Sequence, residues 1–423
     1  MFRLRSSSVA RAARTFLFAA LAAASLALAV QADPTAPVPL LKSGEPVDWW
    51  FMFKLNAASF PGCGGNEARV CPFGGTPHDY DHFGQQFVYA SSADHTLQKG
   101  SGCAGESVND PLGATFDEIY NGTFHYVLWN DQFFDDPRIA GCKKSCGGSW
   151  GHSKGMLAWN DAGDGVVLQV TTPSWPAAGS TLHPRTRDGN TLGCVNDNDV
   201  LVSQHFFALK LTKDDVVMVV QALSNASVVT AADQVQIVNN GGPSDISALV
   251  ATLGKRTNST AVYQATLSSG VVLISKPSHL HVPPWQMVSA LLGGADLRTA
   301  TWWMSPQIYS TTATTHIACW SRTLDKPGAV AIATTGSWDG VSFNLTGGGS
   351  ADHNHAKIGV STSGPAHYSI FGDMNQQGTA VAGRRCSSSQ NGRGGLFYVI
   401  DDATLEASVA GLIAGGTAPT HAP

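Results

Sequence analysis

GHSKGMLAWNDAGDGVVLQVTTPSWP, residues 151–176, is the stretch on which the architecture turns. Met156 to Trp159 and Val166 to Val170 are apolar, β-prone runs, and Asn160-Asp161-Ala162-Gly163-Asp164-Gly165 between them is turn chemistry, so the segment reads as a β-hairpin. His152-Ser153-Lys154 opens it. Residues i and i+2 of a strand share a face, which points the imidazole and the ammonium at one spot. Such a spot suits a phosphate.

The arrangement recurs. His355-Ala356-Lys357 opens a second hairpin, with strands Ile358–Ser361 and Tyr368–Gly372 joined at Thr362-Ser363-Gly364-Pro365-Ala366. With 14 histidines in 423 residues, fewer than one His-x-Lys triplet is expected by chance. At the same offset beyond each histidine stands a polar residue, Thr172 in the first unit and Asn375 in the second. An internal duplication accounts for the spacing.

Working outward, Val47 to Leu55 is apolar on both faces and belongs inside a sheet. Leu112 to Tyr120 suits a short helix and Phe124 to Trp129 a buried strand, while 135–151 is a polar loop of the length that often carries function. Residues 205–223 and 245–253 fit helix or strand equally. Asn239-Asn240-Gly241-Gly242-Pro243 marks a boundary, and strands follow at Val262–Leu267, Val271–Ile274 and Ala329–Thr334.

The leader carries Arg3, Arg5, Arg11 and Arg14 ahead of an apolar run from Thr15 to Val30, the pattern of a secretory signal peptide. The run is shorter than the ~20 residues of a spanning helix, so stable membrane association is not expected. The division expected is 1–32 signal peptide, 33–238 and 239–405 two halves each with one His-x-Lys unit, and 406–423 a flexible tail. Eight cysteines in an exported chain favour disulfides, and Cys142 to Cys146 is most simply a disulfide loop. The other pairings stay open.

A formal charge of −5 argues weakly against a nucleic-acid partner at neutral pH, and loss of the leader arginines makes it more negative. All 14 histidines lie beyond the leader, however, and together they outweigh that deficit once protonated. Mild acid would turn the surface cationic.

GEPVDWWFMFKL at 44–55, WNDQ at 129–132, the 151–176 stretch, DHNHAK at 352–357, GDMNQQG at 372–378 and RGG at 393–395 resemble, in order, the deoxyribonuclease II family, which is related to the phospholipase D superfamily. The resemblance implies an α/β (α+β) fold: a duplicated phospholipase D-like α/β/α sandwich whose halves are related by a pseudo-two-fold, with both motifs at a shared cleft. It implies a secreted acid endodeoxyribonuclease that cuts DNA without metal or other cofactor through a phosphohistidine, leaving 3′-phosphate and 5′-hydroxyl ends. His152, Lys154, His355 and Lys357 are then the catalytic residues, and Asn375, Thr172 and Asp373 the phosphate-binding ones. The expected setting is extracellular or periplasmic, or a lysosome-like compartment, with a homodimer left open.

Two departures stand out. The wider superfamily has an aspartate seven residues after each motif histidine, where this chain has Trp159 and Thr362. The family usually runs Asp-His-x-Lys in the second motif, whereas here Asp352-His353-Asn354 precedes His355; His355 keeps the lysine spacing and is chosen over His353. Asp373 equally suits a loop-backbone acceptor and Asn375 a turn residue, while Lys143 and Lys144 are candidates for DNA backbone contact. Of the tryptophans, Trp49 and Trp50 read as core; Trp302 and Trp303 are candidates for stacking on DNA. Competing readings are a zinc hydrolase using imidazoles such as His353 and His355, His279 and His281, or His78 and His82 with Asp79 and Asp81; another phospholipase D-type phosphodiesterase; and a non-catalytic exported binding protein.

Overall fold

A computed structural model describes residues 35–64, 83–132, 142, 145–173, 200–381 and 385–421. The leader, His78, Asp79, Asp81, His82, Lys143 and Lys144 lie outside them. The first sheet contains β1 Trp49–Lys54, β2 Phe87–Ser91, β3 Asp94–Lys99, β4 His125–Asn130, β5 Lys154–Trp159, β6 Gly165–Val170, β7 Gln204–Leu211 and β8 Val238–Asn239. Helices α1 Pro111–Asn121, α2 Lys213–Ala226 and α3 Ser244–Val250 punctuate it. The second sheet contains β9 Tyr263–Thr266, β10 Val272–Lys276, β11 Leu297–Ala300, β12 Val330–Ile332, β15 Ile358–Ser361, β16 Tyr368–Gly372 and β17 Gly395–Asp401. β13 Thr335–Trp338 and β14 Val341–Asn344 form a separate hairpin, and α4 Pro284–Leu291 and α5 Ala403–Leu412 complete the set.

The sheets run β3-β2-β1-β7-β6-β5-β4-β8 and β12-β11-β15-β16-β17-β10-β9. Within them, β1-β7-β6-β5-β4 and β10-β17-β16-β15-β11 agree strand for strand, and every adjacent pair in both series is antiparallel. The His-x-Lys units therefore enter equivalent strands, β5 and β15.

Period-two alternation explains why β1 is apolar throughout. Trp50 faces outward and donates from its indole to Thr115 on α1, while Phe51 faces inward and stacks on Phe371 of β16 at 4.3 Å. Phe207 of β7 also stacks on Phe371, at 4.9 Å, so the sheets meet across an aromatic seam. On the far face of the second sheet, Trp285 of α4 packs edge-on against Phe397. Helices α2 and α5 each touch both sheets. The result is an α+β protein dominated by its sheets, and Ala36–Pro423 forms one compact unit.

The ambiguous 205–223 run is a strand followed by a helix. Thr212 ends the strand because its hydroxyl caps Asp215 N–H while the Asp215 carboxylate returns to the Thr212 N–H, a reciprocal cap that starts α2. The flexible tail expected from 406 is ordered instead. α5 runs to Leu412, Ala418 N–H bonds the Ile332 carbonyl, His421 N–H bonds the Ser310 carbonyl, and Arg298 gathers the carbonyls of Ile413, Gly415 and Gly416. Local Ala/Gly/Pro composition carried no trace of partners so distant along the chain.

Among the described residues, disulfides join Cys63 to Cys103, Cys142 to Cys146 and Cys319 to Cys386. None of their helices is long and apolar enough to cross a membrane.

Candidate active site

Each motif histidine is tied to the opposite half of the chain. His152 N–H donates to the Gly394 carbonyl at 2.8 Å, and His355 N–H donates to the Ser203 carbonyl at 2.7 Å. Gly394 precedes β17 and Ser203 precedes β7, the equivalent strands of the two sheets. Gly394 must be glycine here: a Cβ would lie 2.0 Å from the Ala226 carbonyl oxygen at the end of α2.

The imidazoles are oriented in the same reciprocal way. His152 Nδ1 lies 2.8 Å from the backbone carbonyl of Asp373, just after β16. His355 is bonded to the backbone of Thr171, just after β6, and its Nδ1 lies 3.2 Å from Gln204 Oε1 and 3.1 Å from Lys357 Nζ. At His152 the carbonyl on Nδ1 requires the Nδ1–H tautomer, which leaves a lone pair on Nε2. Both rings line a cleft of about 360 Å³ with Asp131, Gln204, Trp302, Asn375 and Arg393.

The two lysines are buried beside the rings and do not line the cleft. Lys154 Nζ lies 2.5 Å from Asp131 Oδ1, and Asp131 Oδ2 lies 3.0 Å from Arg393, which also donates to the Gly151 carbonyl at 2.7 Å. Lys357 Nζ donates to the His355 carbonyl at 2.5 Å. Burial pushes the Asp131 carboxyl upward, but the charges of Lys154, Arg393 and His152 overcome this and hold it far below the usual carboxylate range. Burial depresses His152 well below an ordinary imidazole; Asp131 pulls it back up, and Lys154, Arg393 and Lys357 push it further down. His355 is depressed by burial, then by Lys357, Lys154 and His152. Lys357 is lowered by burial and by Lys154. Both rings thus give up a proton more readily than an ordinary imidazole, and a phosphate anion beside them would raise both.

Of the remaining residues singled out from sequence, Asn375 lines the cleft, with Nδ2 on Gln377 and Oδ1 unpaired among the described residues. Thr172 is buried, its hydroxyl has no partner among the described residues, and it does not line the cleft. The Asp373 carboxyl accepts from Leu396 N–H at 2.9 Å and Gln169 Nε2 at 3.1 Å, and burial pushes it up to about 7. It holds the seam behind His152. His353 faces elsewhere, with Nδ1 at 2.7 Å from Ser350 Oγ and 3.0 Å from Asp352. Among the described residues no three His, Cys, Asp or Glu side chains gather as a metal-holding group.

Asp131, Arg393 and Gln204 were not singled out as site residues by their spacing, and Trp302 was named only as a stacking candidate. WNDQ and RGG contain the first two, but only the fold places Asp131 on Lys154 and Arg393 on Asp131. Two buried lysines at equivalent strand ends were missed as well. Lys54 Nζ holds the carbonyls of Gly84 and Val202, and Lys276 Nζ holds those of Asn391 and Arg393 at 2.8 Å each. Each fixes a loop that supplies cleft residues.

Fold and site together define an α+β protein that presents two His-x-Lys units at one cleft. The sequence matches the deoxyribonuclease II family over residues 39–414. It is similar to Deoxyribonuclease-2-alpha of Sus scrofa, 29% identical over 161 residues, which is 36% of this chain and 38% of the relative. It is also similar to Cell-death-related nuclease 7 of Caenorhabditis elegans, 28% identical over 160 residues, 36% of this chain and 35% of the relative. These alignments span well under half of either relative's length. The chain belongs to the deoxyribonuclease II family.

Proposed function

We propose that this protein is an exported, acid-acting endodeoxyribonuclease that hydrolyses DNA phosphodiester bonds with its own side chains and without metal, giving 3′-phosphate and 5′-hydroxyl ends. The observation that carries the reading is the convergence of His152 and His355 on one cleft, each with its Nδ1 engaged by protein. The identical five-strand order in the two sheets supports a duplicated phospholipase D-like fold, with halves at 33–238 and 239–405.

In the reaction, neutral His355 Nε2 attacks phosphorus while protonated His152 gives its proton to the leaving 5′ oxygen. The P–O5′ bond breaks as the P–N bond forms. Water then attacks the phosphohistidine, His152 takes the water proton, and the 3′-phosphate is released. The surroundings favour this division of roles: His152 has the Asp131 carboxylate to stabilise its imidazolium, whereas the charges acting on His355 are all cationic. Arg393, Lys154 and Lys357 oppose the phosphate charge, and Asn375 and Gln204 hydrogen-bond its oxygens. Because burial holds His152 well below its usual range, the protonated donor becomes scarcer as pH rises, which gives an acid optimum.

The test is plasmid nicking across about pH 4.5–7.5, a range bracketing the ordinary imidazole value, in excess EDTA, by the wild type, His152→Ala and His355→Ala. Nicking that persists in EDTA, is strongest in acid and is nearly abolished in either variant is expected, with fresh 5′ ends open to labelling by a kinase that lacks 3′-phosphatase activity. Activity lost to EDTA and restored by zinc, or ends that ligate directly through a 5′-phosphate, would refute it.

A further inference from the structure

The two halves of the cleft are built alike, and they differ most at one position. In the first half Asn130 pairs with Lys154, and Asp131 follows it. In the second half Ala300 pairs with Ile358, so one step further sets Thr301 opposite Lys357, and Trp302 follows it. Trp302 therefore occupies the place of Asp131. One half puts a carboxylate beside its histidine and the other puts an indole.

That indole is held and also open. Its ring meets His355 edge-on, with centroids 4.9 Å apart and planes at 84°. Gly347 lies against it so closely that a Cβ there would come within 2.9 Å of the indole Cγ. Trp49, Trp50 and Trp303 are buried, and the Trp303 indole donates to the Ile308 carbonyl. Trp302 is only partly buried, lines the cleft, and makes no hydrogen bond to the described residues. Met304, 47% exposed, follows on the same segment. A rigid aromatic wall with an apolar neighbour, set beside the histidine that faces phosphorus, is the wrong chemistry for a phosphate oxygen and the right chemistry for the face of a nucleobase.

We propose that Trp302 is the base-stacking residue of the cleft, packing against a nucleobase next to the scissile phosphate and so setting which way the strand lies across His152 and His355. The proposal rests on the nuclease reading and adds the substrate group recognised. Trp302 is a positioning residue and takes no part in proton transfer.

The experiment compares a single-stranded oligodeoxynucleotide with an oligomer of the same length built from abasic tetrahydrofuran phosphodiesters. Stacking of one base on an aromatic ring is worth on the order of tenfold. The wild type should cleave the base-bearing strand about that much better in kcat/KM. Trp302→Leu should lose the advantage through KM, with kcat and the abasic rate little changed, and Trp302→Phe should keep most of it. If Trp302 only propped His355, Trp302→Leu would lower kcat on both substrates alike, and that result overturns the proposal. So does a wild type that cuts both oligomers equally well, a measurement that stands even if the leucine variant fails to fold. A wild type that cuts neither oligomer refutes the nuclease reading itself.

Discussion

Replacing Asp131 by asparagine removes one charge from the cleft with almost no change in shape. The carboxylate is 1% exposed and joins Lys154 at 2.5 Å to Arg393 at 3.0 Å. Among the charges acting on His152 it is the one that favours the imidazolium. An opposite charge at such range shifts a pKa by roughly one to three units, and each unit changes the protonated fraction about tenfold above the pKa. For Asp131→Asn we therefore expect the pH–rate profile to move to lower pH by at least about one unit, with a tenfold or greater loss at mildly acid pH and partial recovery in stronger acid. DNA affinity should move the other way, because the cleft loses a negative charge that opposes phosphate, and the salt dependence should steepen by about one ion. Stability should fall by about 3 kcal/mol, the low end for breaking a buried pair, since the amide oxygen still accepts from Lys154. The sign follows from linkage. The folded carboxyl lies far below its unfolded value, so its stabilisation is fully present above about pH 4 and is lost only as pH falls through the folded value. Single-turnover cleavage from about pH 4.5 to 7.5 at fixed ionic strength, alongside filter binding, reads both effects. An unshifted profile, or one moved towards neutral pH, would show that Asp131 does not support the proton on His152.

His353→Ala should leave cleavage nearly intact, because the ring bonds Ser350 and Asp352 away from the cleft; a dead His353→Ala beside an active His355→Ala would reverse the choice of motif histidine. In the wild type, DNA affinity should strengthen as pH falls through the imidazole range, and the saturated single-turnover rate should rise by more; a flat saturated rate would leave surface charge as the whole cause of any acid optimum. Lys276→Met should weaken the loop carrying Gln390 and Arg393. Burial lowers the Lys276 ammonium to about 7, below its unfolded value, so its proton burdens the fold below pH 7 and the burden lifts as pH rises towards about 10. The stability advantage of wild type over Lys276→Met should accordingly grow between about pH 7 and 10 in urea melts, and a pH-independent difference would contradict the burial argument.

Much of the architecture was local and hence legible. The continuous apolar run of Trp49–Lys54, the turn chemistry of 160–165 and 362–366, and the helix at 111–121 all depend on near neighbours in the chain, and each emerged close to where it was expected. Residues 205–223 resisted because an apolar run suits either period, and the Thr212–Asp215 cap that divides it is a matter of geometry. Strand β11, Leu297–Ala300, has only four residues, too few for its pattern to stand out, and it owes its pairing to β12 and β15.

The site divides along the same line. The sequence by itself determined that two imidazole–ammonium pairs exist, at matching spacing, where the chain enters strands that open hairpins, because residues i and i+2 of extended chain share a face. Only the tertiary structure decided that the pairs meet. The backbone bonds of His152 to Gly394 and of His355 to Ser203 span more than a hundred residues, and no local pattern encodes them. It also decided that the halves are chemically unequal, since Asp131 and Trp302 become counterparts only once β4 and β11 are registered against β5 and β15. The electrostatics were illegible for the same reason: Lys154 and Lys357 are sealed under the cleft, and at Lys357 burial in low dielectric outweighs intrinsic basicity.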